Sequence, residues 1–218
     1  MSADRPRRRV SLRREIRAAL ALRRLPARVA LFQWRARRLA TRIDDRFALV
    51  SGARPHNLAV LLGEARGCRR VVELGTGVGW TTASLVLADR ARTVVSYDPV
   101  DRPERASYLA LAGAAAARIR LVDEPGEHGP RDEEPVDLLF IDSSHDEEET
   151  IREVRAWQPV LGDSSVIVFD DYGHPDYPGV AAAVRALGLA GEQRGSLFVH
   201  RVGLGDPEPR SHPRKPSV

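Results

Sequence analysis

Acidic side chains and one histidine follow two apolar segments of the sequence, each at the point where a buried strand would end. Asp142 and His145 follow the first segment, and Asp170 and Asp171 follow the second. Adjacent parallel strands end at the same edge of a sheet, where open α/β folds bind ligands, so we expect these side chains to converge. Three carboxylates so close together repel one another unless a cation such as Mg²⁺, which prefers oxygen ligands, neutralises them. The spacing therefore predicts a metal site formed by Asp142, Asp170 and Asp171; the alternative is one helix cap and two solvated side chains.

His145 is the candidate catalytic base. Histidine titrates near neutral pH, which suits a group that takes a proton from a hydroxyl. The alternative is a histidine that only forms structural hydrogen bonds. His174 lies in a loop stiffened by two prolines and is expected to be structural, whereas Asp176 and Tyr177 in the same loop could contact a substrate.

A glycine-rich turn follows an earlier apolar segment. The run from Glu73 to Trp80 places Gly75, Gly77 and Gly79 at alternate positions, whereas a dinucleotide-binding turn would have its third glycine at Trp80. The carboxylate of Glu73 would repel a pyrophosphate and suits a cationic ligand. S-adenosylmethionine carries an ammonium and a sulfonium group and no phosphate, so the turn, with Thr76 in it, favours this cofactor over a nicotinamide dinucleotide.

Further acidic residues follow the next two predicted strands. Asp98 lies 23 residues after Gly75, at the end of an apolar segment, and can accept hydrogen bonds from ribose hydroxyls. Asp123 or Glu124, after the following strand, could accept a hydrogen bond from the adenine amino group. Both predictions place the cofactor along the same edge of the sheet as the carboxylate cluster.

Strands alternate with helices from residue 70 onward. This order predicts an α/β fold with a doubly wound, Rossmann-like, mostly parallel sheet of about seven strands. A closing antiparallel hairpin turns at Gly195, and a helical extension precedes the sheet. The predicted strands are Arg70–Leu74, Thr93–Tyr97, Ile119–Val122, Val136–Ile141, Ser165–Phe169, Leu189–Arg194 and Ser196–Val202.

The chain is expected to have four parts. They are a disordered basic tail over 1–10, basic helices over 11–54, the ligand-binding domain over 55–202 and a disordered tail over 203–218. Within the second part, one helix over 27–50 carries an apolar stripe that would pack on the domain or on a second copy, forming a homodimer. The alternative is contact with an anionic membrane surface or nucleic acid. The stripe consists of Val29, Phe32, Ala36, Leu39, Ile43, Phe47 and Val50.

Composition limits the classes of protein that are possible. Of 218 residues, 43% are hydrophobic and 29% are charged, which is typical of a globular protein. Cys68 is the single cysteine, which excludes an internal disulfide. No apolar run approaches the length that spans a bilayer, and no secretory signal is present, so a cytoplasmic location is expected. Residues 1–40 carry a net charge of +11 and the remainder is net −7, which disfavours nucleic acid as the partner of the main domain.

The motifs resemble those of a known enzyme family. Glu73–Gly79 is similar to the first motif of class I S-adenosylmethionine-dependent methyltransferases. The segment from Phe140 to His145 and the segment from Phe169 to Tyr172 resemble metal-dependent small-molecule O-methyltransferases, especially those acting on antibiotic sugars. The resemblance implies that Asp142, Asp170 and Asp171 are metal ligands. Two departures are Ser143, where glycine is frequent, and the 162–165 segment, where a Pro-Gly-Gly turn is usual.

The expected function is metal-assisted transfer of a methyl group from S-adenosylmethionine to a small-molecule hydroxyl. His145 would accept the proton, and Asp142 would contact both Mg²⁺ and the cofactor. Two alternatives belong to other classes. One is a non-catalytic cofactor-binding module whose basic N-terminus binds a partner, and the other is an RNA methyltransferase; no base-methylating Asn-Pro-Pro-Tyr motif follows Ile141, which disfavours the latter.

Overall fold

Five parallel strands form the centre of a seven-stranded sheet. The computed structural model describes residues 22–203, so the predicted tail over 1–10, the first part of the basic helices predicted over 11–54 and nearly all of the tail over 203–218 lie outside the described residues. The strand order is β3-β2-β1-β4-β5-β7-β6, with β7 antiparallel to both of its neighbours. The strands are β1 (Arg70–Leu74), β2 (Thr93–Tyr97), β3 (Ile119–Val122), β4 (Val136–Ile141), β5 (Leu161–Phe169), β6 (Gly191–Arg194) and β7 (Leu197–Arg201).

Helices cover both faces of the sheet. Side chains alternate between the faces of a strand, so β1 directs Val71 into one core and Val72 into the other. Helices α1, α3 and α4 pack on the first face, and α6 and α7 pack on the second. The helices are α1 (Ala27–Ile43), α2 (Arg46–Ser51), α3 (Pro55–Glu64), α4 (Trp80–Ala88), α5 (Arg105–Ala110), α6 (Glu147–Trp157) and α7 (Pro178–Ala186), with 3-10 turns at Gly113–Arg118, Gly126–His128 and Gln158–Val160.

The predicted fold class is confirmed, including the parallel centre and the closing hairpin at Gly195. The order reverses at β1, from which one branch runs to β2 and β3 and the other to β4 and β5. This reversal opens a crevice at the carboxyl ends of β1 and β4, where open sheets bind ligands. Within residues 22–203, no helix is long and apolar enough to cross a membrane.

The single helix predicted over 27–50 is wrong, because the chain breaks it in two. Asp44 adopts a left-handed conformation, and the Asp45 carboxylate then caps α2 by accepting a hydrogen bond from the Ala48 amide at 2.9 Å. The break divides the apolar stripe. Phe32 at its start is buried against Trp80, whereas Val50 at its end is 86% exposed.

Candidate active site

A cavity of about 660 Å³ lies at the carboxyl edge of the sheet. Its wall combines the glycine turn after β1 with the loops that follow β2, β3, β4 and β5, and α2 forms part of its rim. Most of the predicted site residues therefore meet in one place. Those that line the cavity are Gly75, Thr76, Gly77, Asp98, Asp142, His145, Asp170 and Asp171.

The glycine turn brings two strand ends into close contact. Gly75 has φ of +98°, and a Cβ at this position would lie 1.9 Å from the Asp142 carbonyl oxygen. No side chain fits there, so the backbones of the β1 and β4 loops can approach each other. Gly79 does not line the cavity but precedes α4, also with positive φ. The turn therefore presents backbone atoms of Gly75 and Gly77 to a ligand.

Glu73 lies beneath this turn, 1% exposed, and does not line the cavity. Its Oε2 accepts hydrogen bonds from the hydroxyls of Thr82 and Ser96, and Oε1 is buried without a partner. Burial raises the pKa of Glu73 to about 8, although both hydrogen bonds act to lower it. The side chain thus sits behind the turn, so any effect on a cationic ligand would act through the loop and not by direct contact.

Asp98 is held by a buried arginine that the sequence analysis missed. Arg105 Nη2 lies 3.0 Å from Asp98 Oδ2, and the two side chains are 6% and 9% exposed. Arg105 Nε also donates to the Gly77 carbonyl, and the Gly77 amide donates to Asp98 Oδ2 at 2.8 Å. Asp98 Oδ1 accepts from the Val100 amide. This ring of contacts joins the glycine turn to the end of β2 and leaves acceptor capacity on Oδ1, as a ribose contact would need.

His145 lies between two carboxylates. Its Nε2 is 3.3 Å from Asp142 Oδ1 and 3.5 Å from Asp171 Oδ2, at angles that leave it without a well-formed hydrogen bond. Burial acts to lower the pKa of His145, but the contact with Asp142 and the charges of Asp142, Asp171 and Asp170 outweigh it and raise the pKa. Burial in turn raises the pKa of Asp142. The arrangement favours a proton on the imidazole.

Asp170 faces a different set of partners. Its Oδ1 accepts hydrogen bonds from the Asp171 amide at 2.8 Å and from the Ser196 hydroxyl at 3.2 Å, while Ser196 accepts one from the Asn57 side chain. Burial, reinforced by the charge of Asp142, raises the pKa of Asp170 to about 7. The hairpin turn and the start of α3 therefore orient this carboxyl group.

Two residues of the site adopt a backbone conformation that is unusual for side chains of their size. His145 has φ of +62° and Asp171 has φ of +50°. Left-handed residues other than glycine cost free energy and often mark functional sites. The His145 ring is also stacked on Tyr177, with ring centroids 4.5 Å apart. Packing from the proline-containing loop thus holds His145 in place, and both Tyr177 and His174 line the cavity.

The two acidic residues predicted to accept a hydrogen bond from the adenine amino group do not line the cavity. Asp123 is exposed, and Glu124 pairs with Arg131. At this end of the cavity the wall consists instead of Pro125, Gly126, Ser143 and neighbouring side chains. Their contact with a cofactor remains a prediction that the arrangement of the described residues does not support.

The carboxylates do not converge as a metal site in this arrangement. Among residues 22–203, no group of three or more histidine, cysteine, aspartate and glutamate side chains is placed to hold a metal ion. The reason is visible in their contacts, because Asp142 and Asp171 turn toward His145 and Asp170 turns toward Ser196. The oxygen chemistry suits Mg²⁺, but the observed positions do not fit it.

Three residues of the site were not predicted, because little in the sequence around them indicates their roles. Arg105 is one of 33 arginines, Ser196 occupies a hairpin turn, and Asn57 lies on a helix remote in sequence. Each acquires a role only through a partner at least seven residues away. One clue was available: a carboxyl group at a buried strand end needs a cation or several hydrogen-bond donors nearby.

Comparison with known proteins gives a family for the central part of the chain. Residues 72–172 match a methyltransferase domain model, Methyltransf_24. This stretch contains the glycine turn, Asp98, Asp142 and His145. No curated protein sequence matches the chain.

Solved structures share the fold over most of the chain. CalS11, a TDP-rhamnose 3′-O-methyltransferase of calicheamicin biosynthesis, is 16% identical with a TM-score of 0.60, covering 93% of this chain and 97% of that one. The O-methyltransferase TomG from Streptomyces achromogenes, involved in tomaymycin synthesis and solved with its cofactor, is 22% identical with a TM-score of 0.50, covering 69% and 81%. Cofactor-bound Rv0187 from MTB is 25% identical with a TM-score of 0.54, covering 88% and 89%.

The sheet order and the cavity agree with these similarities. The glycine turn and Asp98 line the cavity, and the matched domain spans both of them. The expectation from the sequence motifs is thereby confirmed for the domain: residues 72–172 match a methyltransferase domain, and the chain has the fold of S-adenosylmethionine-dependent methyltransferases.

Proposed function

We propose that the protein transfers the methyl group to a hydroxyl of a small molecule, with His145 as the proton acceptor. The observation that carries this proposal is the position of His145 Nε2, 3.3 Å from Asp142 Oδ1 and 3.5 Å from Asp171 Oδ2. Two carboxylates at this distance stabilise an imidazolium, so they favour proton transfer from a hydroxyl to the ring. CalS11 and TomG, which share this fold, are O-methyltransferases, and this agrees with the proposed reaction.

The reaction follows from where the two reactants would lie. The acceptor hydroxyl gives its proton to the His145 imidazole, and its oxygen forms a bond to the methyl carbon. The bond between carbon and sulfur breaks, and its electron pair neutralises the sulfonium to leave S-adenosylhomocysteine. The protein's part is to hold both reactants in line and to exclude water, which can lower a barrier by several kcal/mol, about 7–11 in favourable cases.

The rim of the cavity indicates an acceptor with an apolar portion. Phe47 and Val50 on α2 line the cavity and are exposed, and Tyr177 lines it from the loop before α7. Apolar walls with a few polar groups at the reacting end are typical of small-molecule sites. We therefore expect an acceptor that places a hydroxyl beside His145 and an apolar ring or chain against Phe47.

Mg²⁺ assistance belongs to this proposal as a prediction. The metal would lower the pKa of the acceptor hydroxyl, and Asp142, Asp170 and Asp171 supply the oxygen ligands it prefers. Because Asp142 and Asp171 contact His145 in the described arrangement, the proposed proton transfer does not depend on the metal.

The other predictions concern partners. The exposed part of the apolar stripe, from Ile43 to Val50, could meet a second copy or a membrane surface, as the sequence analysis allowed. A cytoplasmic location and homodimer formation likewise stay predictions. The presence of Phe47 and Val50 at the cavity favours a contribution to acceptor binding at this face.

The test is a methyl-transfer assay with the purified full chain. S-adenosylmethionine is supplied with a panel of sugar, phenol and catechol hydroxyl compounds, and S-adenosylhomocysteine and the methylated product are measured. His145→Asn tolerates the left-handed backbone and should lower kcat by about 10²–10⁴-fold while leaving cofactor affinity unchanged. His128→Asn, at an exposed histidine, is the control. Methylation on nitrogen or carbon, or full activity in His145→Asn, would refute the proposal.

A further inference from the structure

The cavity extends beyond the reacting groups toward the end of β3. Along the carboxyl edge, Asp98 follows β2 and Gly126 lies in the loop after β3, whereas His145 and Asp170 lie toward β4 and β5. With its methyl group facing His145 and its ribose at Asp98, a cofactor would place its base against the remaining wall of the cavity, which includes Gly126 and Ser143. The adenine would therefore lie against Pro125, Gly126 and the first residues after β4.

Adenine presents a hydrogen-bond donor, its 6-amino group, and that donor needs an acceptor. Asp123 and Glu124, the acids of the β3 loop, do not line the cavity. Ser143 does line it, and its side chain is partly exposed. The Ser143 hydroxyl is thus the candidate partner at this end.

A buried glutamate sets the direction of that hydroxyl. Glu153 on α6 is fully buried, and its Oε2 accepts the Ser143 hydroxyl proton at 2.8 Å. While Ser143 donates its only proton to Glu153, its Oγ presents acceptor lone pairs to the cavity side. Glu153 also borders the cavity but has no solvent-exposed surface, and its Oε1 is buried against Gly126 without a hydrogen-bond partner.

We propose that Ser143 accepts a hydrogen bond from the cofactor's 6-amino group and that Glu153 is the positioning residue that holds Ser143 as an acceptor. The pair would make the site selective for a 6-amino purine over a 6-oxo purine. A 6-oxo group would place its own lone pairs against those of Ser143 Oγ, and neither group could donate. The inference rests on the assignment of the cofactor and is independent of the acceptor and of the base.

The experiment compares two probes by calorimetry, S-adenosylhomocysteine and its deaminated analogue S-inosylhomocysteine. The wild-type protein should bind the first at least about tenfold more tightly. Ser143→Ala should bring the ratio of affinities close to one. Glu153→Met, which fills a similar volume, should do the same because the freed hydroxyl can then donate as well as accept. Glu153→Gln keeps an amide oxygen for Ser143 and should retain the preference.

The control is Ser164→Ala, at an exposed serine on β5 far from the cavity, which should leave the ratio unchanged. A ratio that stays at the wild-type value in a folded Ser143→Ala protein overturns the proposal. A ratio of affinities that falls only in Glu124→Gln also overturns the proposal, because it would mean that the 6-amino group is bound by the loop after β3. If a variant does not fold, the wild-type complex with S-adenosylhomocysteine decides: a distance above 4 Å between the 6-amino nitrogen and Ser143 Oγ overturns the proposal. Absence of any binding by wild type would overturn the cofactor assignment itself, which separates the two failures.

Discussion

Arg105 and Asp98 form a buried ion pair that also holds the glycine turn, because Arg105 Nε binds the Gly77 carbonyl and Asp98 Oδ2 binds the Gly77 amide. The two charges therefore connect the end of β2 to the turn after β1. These contacts hold the glycine turn and the Asp98 side chain in position before a cofactor binds. The ordering cost of binding is correspondingly smaller.

Replacement of Arg105 should weaken both the fold and cofactor binding. Arg105→Met leaves the Asp98 carboxylate buried without its cation, and breaking such a pair costs about 3–5 kcal/mol. We expect this loss in urea unfolding and at least tenfold weaker binding of S-adenosylhomocysteine by calorimetry. Arg120→Met is the matched control, since Arg120 is half exposed and lies 3.7 Å from Asp132, a pair worth about 1 kcal/mol or less. Equal effects of the two variants would contradict the role of Arg105.

Gly75 should tolerate no side chain. Gly75→Ala would place its Cβ 1.9 Å from the Asp142 carbonyl oxygen at a φ of +98°, so the β1 and β4 loops must separate. We expect loss of cofactor binding and a lower thermal unfolding midpoint. Gly63→Ala is the control, because Gly63 lies in α3 with open space around it, and there alanine should stabilise by about 0.5–1 kcal/mol. Wild-type affinity in Gly75→Ala would show that the loops do not need this approach.

Glu73 should make stability fall as the pH rises. Its pKa is about 8 in the fold against a reference value of 4.5, so between these values the native state keeps a proton that the unfolded state has lost. Raising the pH from 5 to 8 therefore favours the unfolded state, and Glu73→Gln, which is neutral throughout, should gain up to about 4 kcal/mol relative to wild type over this range. Urea unfolding at several pH values measures the difference in the free energy of unfolding between Glu73→Gln and wild type. The contributions of the other buried acids are the same in both proteins and cancel in this difference.

The control for this prediction is Glu192→Gln, at an exposed acid paired with Arg194. Its difference from wild type should change little between pH 5 and 8. A difference between Glu73→Gln and wild type that does not depend on pH would mean that Glu73 is ionised in the fold.

Helix α1 should contribute to the core through one face only. Phe32 is 2% exposed and packs with Trp80 and Tyr108, so Phe32→Ala should cost about 3–5 kcal/mol in urea unfolding. Leu31 lies on the same helix but is 48% exposed, and Leu31→Ala should change stability by about 0.5 kcal/mol or less. Equally small losses in both variants would show that α1 is not part of the folded domain.

Chelation should separate catalysis from cofactor binding if Mg²⁺ takes part. In that case EDTA should abolish methyl transfer and added Mg²⁺ should restore it, while the affinity for S-adenosylhomocysteine changes less than about twofold, because the glycine turn and Asp98 would not contact the metal. Asp170→Asn should behave like the chelated enzyme. Full turnover in chelator with a true acceptor would leave the metal-independent reaction with His145 as base.

The alternation of strands and helices was readable from the sequence because it depends on local periodicity. Seven strands, their hairpin and the glycine turn lie close to where short apolar segments and glycines predict them. The placement of Asp98, Asp142, Asp170 and Asp171 followed as well, since the ends of parallel strands share one edge of a sheet. These features depend only on residues that are close together in the sequence.

Contacts between distant residues were decided by the tertiary structure alone. Which way Asp142 and Asp171 turn depends on His145 between them, and Arg105 and Glu153 gain their roles only once α5 and α6 pack beside the loops. The same is true of the break at Asp44, where capping by Asp45 competes with continuation of the helix. Side-chain direction and burial arise from the whole packed fold, because the free energy of a charge depends on what surrounds it in space and not on its neighbours along the chain.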